Sequence, residues 1–320
     1  MSHTILVTAP RLSPAGIAVL EGARCRTIFL SDDGGIPEML EILRHETVDG
    51  VVSRTLPLDA EAIAAAPQLR VISRHGVGYN NVDIGAATAR GIPVLVAGGA
   101  NSQSVAELAI ALMLAVARKM DANSADIRRG IWDRSQSGVQ LCGKTLGLVA
   151  FGTIGRAVAA IAGGMGMSVV LYDPYLKSAP AGYVQVQTLG ELLALSDVVS
   201  LHCPLTDATR NMIDECAISR MKQGSILINT ARGGLVDERA LAEAIRANHL
   251  GGAGLDTLAC EPPPPDHPLM ALTNVVLTPH IGGSTDTALA ETAALAARNA
   301  LAVLNRHPVP RELVVNPETL

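Results

Sequence analysis

The chain has 320 residues, enough for two ordinary domains that each bury a core. Apolar residues make up 48% and aromatic ones only 2%, so those cores must be aliphatic and alanine-rich. Charged residues are 17%, the formal net charge is −5 and like charges form no block, which excludes the electrostatic footprint of a nucleic-acid or anionic-membrane binder.

From the N-terminus, short β-branched runs alternate with alanine-rich helical ones. The opening MSHTILVTAPRLSP lacks a basic run followed by an apolar one, so no secretory leader is expected. Strands are predicted at Thr4–Thr8, Thr27–Leu30, Gly50–Ser53, Arg70–Arg74 and Pro93–Val96. Helices are predicted at Ile36–His45, Ala60–Ala66 and Asp83–Arg90, the last closed by Gly91. Strand–helix alternation at this spacing implies a parallel α/β sheet.

Asn101-Ser102-Gln103-Ser104 then reads as the N-cap region of one long helix reaching about Arg129 and ending at Gly130. Its most apolar part, Val105 to Ala117, is too short to span a bilayer and carries Glu107, so it reads as buried and the protein as soluble. A second α/β series follows. Its strands are expected at Thr145–Ala150, Ser168–Tyr172, Asp197–His202, Ser225–Asn229, Gly252–Leu255 and Val275–Thr278, with helices at Leu241–Asn248 and Ser284–Arg306. No low-complexity linker separates the two series.

Thr145 to Arg156 is a strand running through Gly152-Thr153-Ile154-Gly155 into the helical run Ala157–Ala162. A dinucleotide site needs that geometry, because glycines let the backbone approach a pyrophosphate and the helix N-terminus offers free N–H groups. Ala150 stands where the first glycine of the fingerprint is usual. A second strand ends in Asp173, whose carboxylate can accept hydrogen bonds from ribose hydroxyls and would repel a 2′-phosphate, favouring NAD over NADP.

Three later segments carry polar residues where strands end. Ile226 to Gly234 delivers Arg232 into a glycine turn, a place where a guanidinium can grip a carboxylate and polarise a carbonyl. Gly254 to Glu261 ends in a carboxylate before four prolines, and Leu277 to Ser284 places His280 between a strand and a helix. A carboxylate beside an imidazole raises its pKa and fixes its tautomer, the requirement for a general acid near neutral pH. Hydride reduction of a 2-oxo acid needs such a set.

With those segments in order, the sequence resembles the D-isomer-specific 2-hydroxyacid dehydrogenases, which include phosphoglycerate dehydrogenases and hydroxypyruvate and glyoxylate reductases. Asn229 to Glu238 is similar to the family's arginine segment, Asp256 through Glu261-Pro262 to its glutamate segment, and Pro279-His280-Ile-Gly-Gly to its histidine segment. The resemblance implies two Rossmann-like or flavodoxin-like parallel-sheet domains with an active-site cleft between them. Residues 1–97 plus 285–320 would form a discontinuous substrate-binding domain and 98–284 the NAD-binding Rossmann domain.

By the same resemblance Arg232, Glu261 and His280 would be catalytic, with Glu261 supporting His280. NAD would meet Val105, Gly152, Thr153, Ile154, Gly155, Asp173, Cys203, Pro204, Thr230, Ala231, Arg232, Asp256, His280, Gly282 and Gly283, with Asp256 at the nicotinamide. His75 to Asp83 looks like the family's substrate loop, where the N–H groups of Val77 and Gly78 would form an anion nest. Arg54, Arg232, His280 and Trp132 complete the expected substrate contacts, and a homodimer through the 101–129 helix region is implied. Val52 stands where phosphoglycerate-type members often show arginine, and with the chain ending near 320 the C-terminal regulatory domain that some of them carry is not expected.

The expected activity is NADH-dependent reduction of a small 2-oxo acid of hydroxypyruvate or glyoxylate type. The alternatives are D-3-phosphoglycerate dehydrogenase and a non-catalytic NAD-sensing scaffold. Formate dehydrogenase is disfavoured by Glu261, where that branch has glutamine. Five cysteines with no CxxC pair argue against disulfides or zinc and for a reducing cytoplasm. His3, His45, His202, His249, His267 and His307 lack metal-ligand spacing and are read as surface or structural residues.

Overall fold

The computed structural model describes residues 3–320. Their contacts divide into two compact units, residues up to Asn101 together with Gly283–Leu320, and Ser102–Gly282.

In the first unit β1 (Thr4–Val7), α1 (Pro14–Gly22), β2 (Arg26–Phe29), α2 (Ile36–His45), β3 (Gly50–Ser53), α3 (Ala60–Ala65), β4 (Val71–Arg74), α4 (Ile84–Ala89) and β5 (Val94–Val96) follow in sequence. The five strands pair in parallel in the order β2-β1-β3-β4-β5, the flavodoxin-like arrangement. Strands covered on both faces need apolar residues throughout, and β3 is buried at all four positions. One face packs on Met39, Leu43, Ala62, Ile63 and Ala87 of α2 to α4; the other packs on Leu20 of α1 and on alanines of the C-terminal helix that begins at Asp286. Asp59 and Asp83 accept hydrogen bonds from backbone N–H groups three residues on, which starts α3 and α4 where they do.

The second unit contains α5 (Ser102–Ala117), α6 (Met120–Arg128), β6 (Thr145–Val149), α7 (Thr153–Gly164), β7 (Ser168–Tyr172), β8 (Val184–Gln185), α8 (Leu189–Leu195), β9 (Val198–Leu201), α9 (Glu215–Ser219), β10 (Ile226–Asn229), α10 (Glu238–Arg246), β11 (Gly252–Leu255) and β12 (Val275–Leu277). α11 (Asp286–Leu304) returns to the first unit. The seven strands are parallel in the order β12-β11-β10-β9-β6-β7-β8, so the order reverses between β6 and β9. Ligands of open α/β sheets bind outside the carboxyl ends of the strands at such a reversal.

The single helix expected from Asn101 to Arg129 is two helices. Lys119 adopts a left-handed φ of +50°, which ends α5 and lets Ala117 O accept from Val139 N at 2.8 Å. α5 is buried along most of its length, whereas α6 has no buried residue. No helix among the described residues is long and apolar enough to cross a membrane.

Candidate active site

Strand register sets the site. Tyr172, Val149, Leu201, Asn229, Leu255 and Leu277 lie in one row across the seven-stranded sheet. The next residue of each strand therefore emerges at the same edge: Asp173, Ala150, His202, Thr230, Asp256 and Thr278. The segments carrying Gly152–Gly155, Asp173, Cys203–Pro204, Thr230–Arg232, Asp256 and His280 leave the sheet along this row, while Val105 lies on α5.

At the reversal, Ala150 has φ +72° and turns the chain sharply after β6. Gly152 is the extended N-cap of α7 and no side chain caps that helix, so its first N–H groups keep their capacity to bind an anion. Thr153 and Ile154 open its first turn. A Cβ on Gly155 would lie 2.6 Å from Ala150 O, so only glycine allows helix and strand to approach this closely, whereas a Cβ on Gly152 would meet nothing within 4 Å. Asp173 Oδ2 accepts from Phe151 N at 2.9 Å, tying the acid after β7 to the glycine turn. The Arg156 guanidinium stacks on Phe151, 4.6 Å from the ring centroid.

Cys203 is buried with Sγ 3.6 Å from Met212 Sδ, and burial pushes its thiol up to about 11, so it offers no thiolate. It precedes Pro204, whose carbonyl accepts from Thr209 Oγ1 at 2.7 Å. The preceding His202 bonds Ser200 Oγ at 2.9 Å, and burial pushes it down to about 4. Thr230 Oγ1 is buried with no hydrogen-bond partner among the described residues.

The arginine turn is shaped by Asn229. Its Oδ1 accepts from Ala231 N at 3.0 Å and its Nδ2 donates to Arg232 O at 2.8 Å, closing the loop after β10. Burial lowers the Arg232 pKa and the nearby Glu261 charge opposes that shift, so the two side chains are within electrostatic reach. Gly233 explains the proximity: a Cβ there would fall 1.9 Å from Leu258 C, so the arginine turn rests directly on the backbone of the glutamate loop.

Glu261 Oε1 accepts from Leu258 N at 3.0 Å, and its Oε2 lies 2.8 Å from His280 Nδ1. His280 itself has φ +53°, and its turn is held by Asp256. The buried Asp256 carboxylate accepts from Thr278 Oγ1 (2.6 Å), Ile281 N (2.8 Å) and Gly282 N (2.8 Å), while Asp256 O accepts from His280 N at 2.9 Å. A Cβ on Gly282 would lie 3.0 Å from Asp256 Oδ2 and 3.4 Å from Val105 Cγ2, so Val105 of α5 borders this turn. Arg232, Glu261 and His280 are thus brought together in one unit.

The substrate-side residues lie elsewhere. Arg54, Val77 and Gly78 belong to the first unit, at the carboxyl ends of β3 and β4. Gly76 has φ +144°, and the Val77 and Gly78 N–H groups donate to no acceptor among the described residues. No carboxylate among the described residues pairs with Arg54. His75, beside Arg54 and Arg74, is pushed down to about 4, mainly by burial. Gly283, next to Asn101, also falls in this unit. Trp132 is 77% exposed in an irregular segment and makes no hydrogen bond or ring contact among the described residues.

Two site-bordering residues escaped the sequence reading. Glu238 and His267 form a part-buried pair at 3.0 Å beneath the Glu261 loop. The only sequence signal was a histidine-proline step after the proline run.

Residues 110–282 match the family model described as D-isomer specific 2-hydroxyacid dehydrogenase, NAD binding domain. D-3-phosphoglycerate dehydrogenase of Mycobacterium tuberculosis (strain H37Rv) is 43% identical over 288 residues, covering 89% of this chain and 54% of that protein. Hydroxypyruvate reductase of Thermotoga maritima is 43% identical over 253 residues, 78% of this chain and 81% of that one. The chain belongs to the D-isomer-specific 2-hydroxyacid dehydrogenase family. It spans about half the length of the phosphoglycerate dehydrogenases it matches. The crystal structure of a glyoxylate reductase from Paecilomyes thermophila aligns at a TM-score of 0.87 and 30% identity, covering 99% of both chains.

NAD is this family's cofactor, and the residues present fit it. The uncapped N-terminus of α7, the open side of Gly152, the close Gly155 approach and the orphaned Thr230 hydroxyl all suit a dinucleotide lying along the row of strand ends.

Proposed function

We propose that this chain reduces a small 2-oxo acid of hydroxypyruvate or glyoxylate type to the D-2-hydroxy acid, using NADH. The observation that carries the reading is the 2.8 Å contact between His280 Nδ1 and Glu261 Oε2 with Arg232 alongside. Nδ1–H donation to the carboxylate fixes the tautomer and leaves Nε2 as the atom that gives the proton to the developing alkoxide. Arg232 binds the substrate and polarises its carbonyl. Bound NADH supplies the hydride. Asp256, through the Gly282 turn and Val105, shapes the nicotinamide side, and Thr230 and Cys203–Pro204 line the approach.

We assign further substrate contacts, to its carboxylate and its distal end, to residues of the first unit. Its uncommitted Val77 and Gly78 amides suit a carboxylate. Arg54, with no acidic partner among the described residues, favours a second reading in which the substrate carries a distal phosphate, as in a D-3-phosphoglycerate dehydrogenase. A homodimer through the 101–129 helix region is supported by the exposed Met120 and Ile127 there and by Ile131 and Trp132 just beyond it.

The test is NADH oxidation with a panel of 2-oxo acids, including hydroxypyruvate, glyoxylate and phosphohydroxypyruvate. H280A is expected to cut kcat by roughly 10²- to 10⁴-fold with NADH binding retained. Unchanged turnover in that variant removes the proposed acid. A kcat/KM higher for phosphohydroxypyruvate than for hydroxypyruvate selects the second reading.

A further inference from the structure

We infer that Glu238 and His267 form a latch that positions Glu261 against His280, and that it governs turnover rather than cofactor affinity; this rests on the dehydrogenase reading above. Between the end of β11 and the start of β12 the chain has no helix or strand, so nothing regular fixes the segment that carries Glu261. Glu238, the first residue of α10, fixes it instead. Its Oε1 accepts from Ala259 N at 2.8 Å and its Oε2 meets His267 Nε2 at 3.0 Å. Ala259 and His267 stand on opposite sides of Glu261 in sequence, so one carboxylate holds both flanks of the loop.

The burial contrast gives the pair its role. The side chains of His267 and Glu238 are 9% and 11% exposed, whereas those of His280 and Glu261 are 50% and 39% exposed. Solvent weakens an exposed contact between flexible side chains, while a buried charged hydrogen bond defines a geometry. Leu269 N lies 3.4 Å from His267 Nδ1, which assigns the ring proton to Nε2, facing Glu238. Arg246, at the other end of α10, donates from Nη2 to Pro268 O at 2.8 Å.

α10 follows directly on the arginine turn, and Gly233 of that turn abuts Leu258 and Ala259. The latch therefore ties the Glu261 loop to the helix that directly follows the Arg232 turn. Glu238 and His267 are positioning residues: they touch the loop, and the loop presents the carboxylate.

The experiment compares wild type with E238A, H267A and H267Q, measuring kcat and KM for the best 2-oxo acid of the panel, NADH Kd by fluorescence, and the crystal structure of E238A. A misplacement of about 1 Å costs ~10²-fold in rate, so kcat in E238A and H267A is expected to fall about 10- to 100-fold. KM and NADH Kd should stay within about threefold. H267Q, whose amide N–H can replace the ring donor, should recover most of kcat. In E238A crystals the Glu261–His280 contact should lengthen beyond hydrogen-bonding distance.

Retained kcat with the latch cut overturns the inference, as does a parallel fall in kcat, NADH affinity and Tm, which marks the pair as merely structural. If E238A does not fold, E238Q, which keeps the shape and one acceptor, should show a smaller kcat loss in the same direction. An intact contact in the variant crystal also overturns the latch. That readout holds even if wild type turns over no 2-oxo acid, the outcome that sinks the dehydrogenase reading instead.

Discussion

Asparagine at position 256 would disturb the His280 turn while barely changing its volume. The buried Asp256 carboxylate accepts three hydrogen bonds, from Thr278 Oγ1, Ile281 N and Gly282 N. Asparagine has one acceptor oxygen. Placed as Oδ1 it keeps the bonds from Thr278 and Ile281, but its NH₂ then confronts the Gly282 N–H. One buried donor is stranded, at about 1–3 kcal/mol, and two bonds weaken from charge-assisted to neutral, at ~1 kcal/mol each.

The total is about 3–5 kcal/mol. At roughly 2–4 °C per kcal/mol for a unit of this size, the Tm of that unit should fall by about 6–20 °C. Thermal unfolding by circular dichroism at 222 nm is the suitable assay, because the single tryptophan, Trp132, is already exposed and reports little on this core. T278V, which removes one bond, should lose less. A D256N Tm within 2 °C of wild type, by the scale above, would refute the view that this carboxylate holds the turn.

Ala150 sits at φ +72°, where a Cβ costs ~1–2 kcal/mol, while glycine adds ~0.4–1 kcal/mol of unfolded-state entropy. A150G should therefore stabilise by about 0.5–1 kcal/mol in urea unfolding; a lower midpoint contradicts the strain. His75 and His202 are both pushed down to about 4 by burial, so the folded state holds them neutral while the unfolded chain takes up protons near pH 6.5. Their contribution, up to about 3 kcal/mol each, is fully present above pH ~6.5 and is lost as pH falls toward ~4. Equal urea midpoints at pH 7.5 and 4.5 would contradict it, and H202N should flatten part of the slope. Cys203 reverses the sign: with its thiol raised to about 11, stability should fall above pH ~9, and C203A should remove that loss.

Much of the fold was legible because β3, β7 and β11 are β-branched or apolar runs bounded by turn residues, and all three occupy the expected residues. The candidate site was legible for the same reason: Asp173, Arg232, Asp256 and His280 each follow a strand closely, and parallel pairing in register brings such residues to one edge. Local signals failed at α5, where the sequence around Lys119 has no glycine or proline to announce the break. Helix α1 was missed because Pro14–Gly22 is apolar on several sides and lacks a helical stripe. Helix α8 was missed although Thr188 and Glu191 spell a capping box. The Glu238–His267 pair joins residues far apart in sequence, and no periodicity encodes such a contact.

The central claim is that hydride passes between nicotinamide and the carbonyl carbon of a 2-oxo acid beside His280 and Glu261. NADH carrying deuterium at the transferring position of C4, incubated with the enzyme and hydroxypyruvate, tests it most directly. D-glycerate labelled at C2 is expected, with the rate of label transfer cut by roughly 10²- to 10⁴-fold in H280A. Unlabelled product, or the L-isomer, would contradict it.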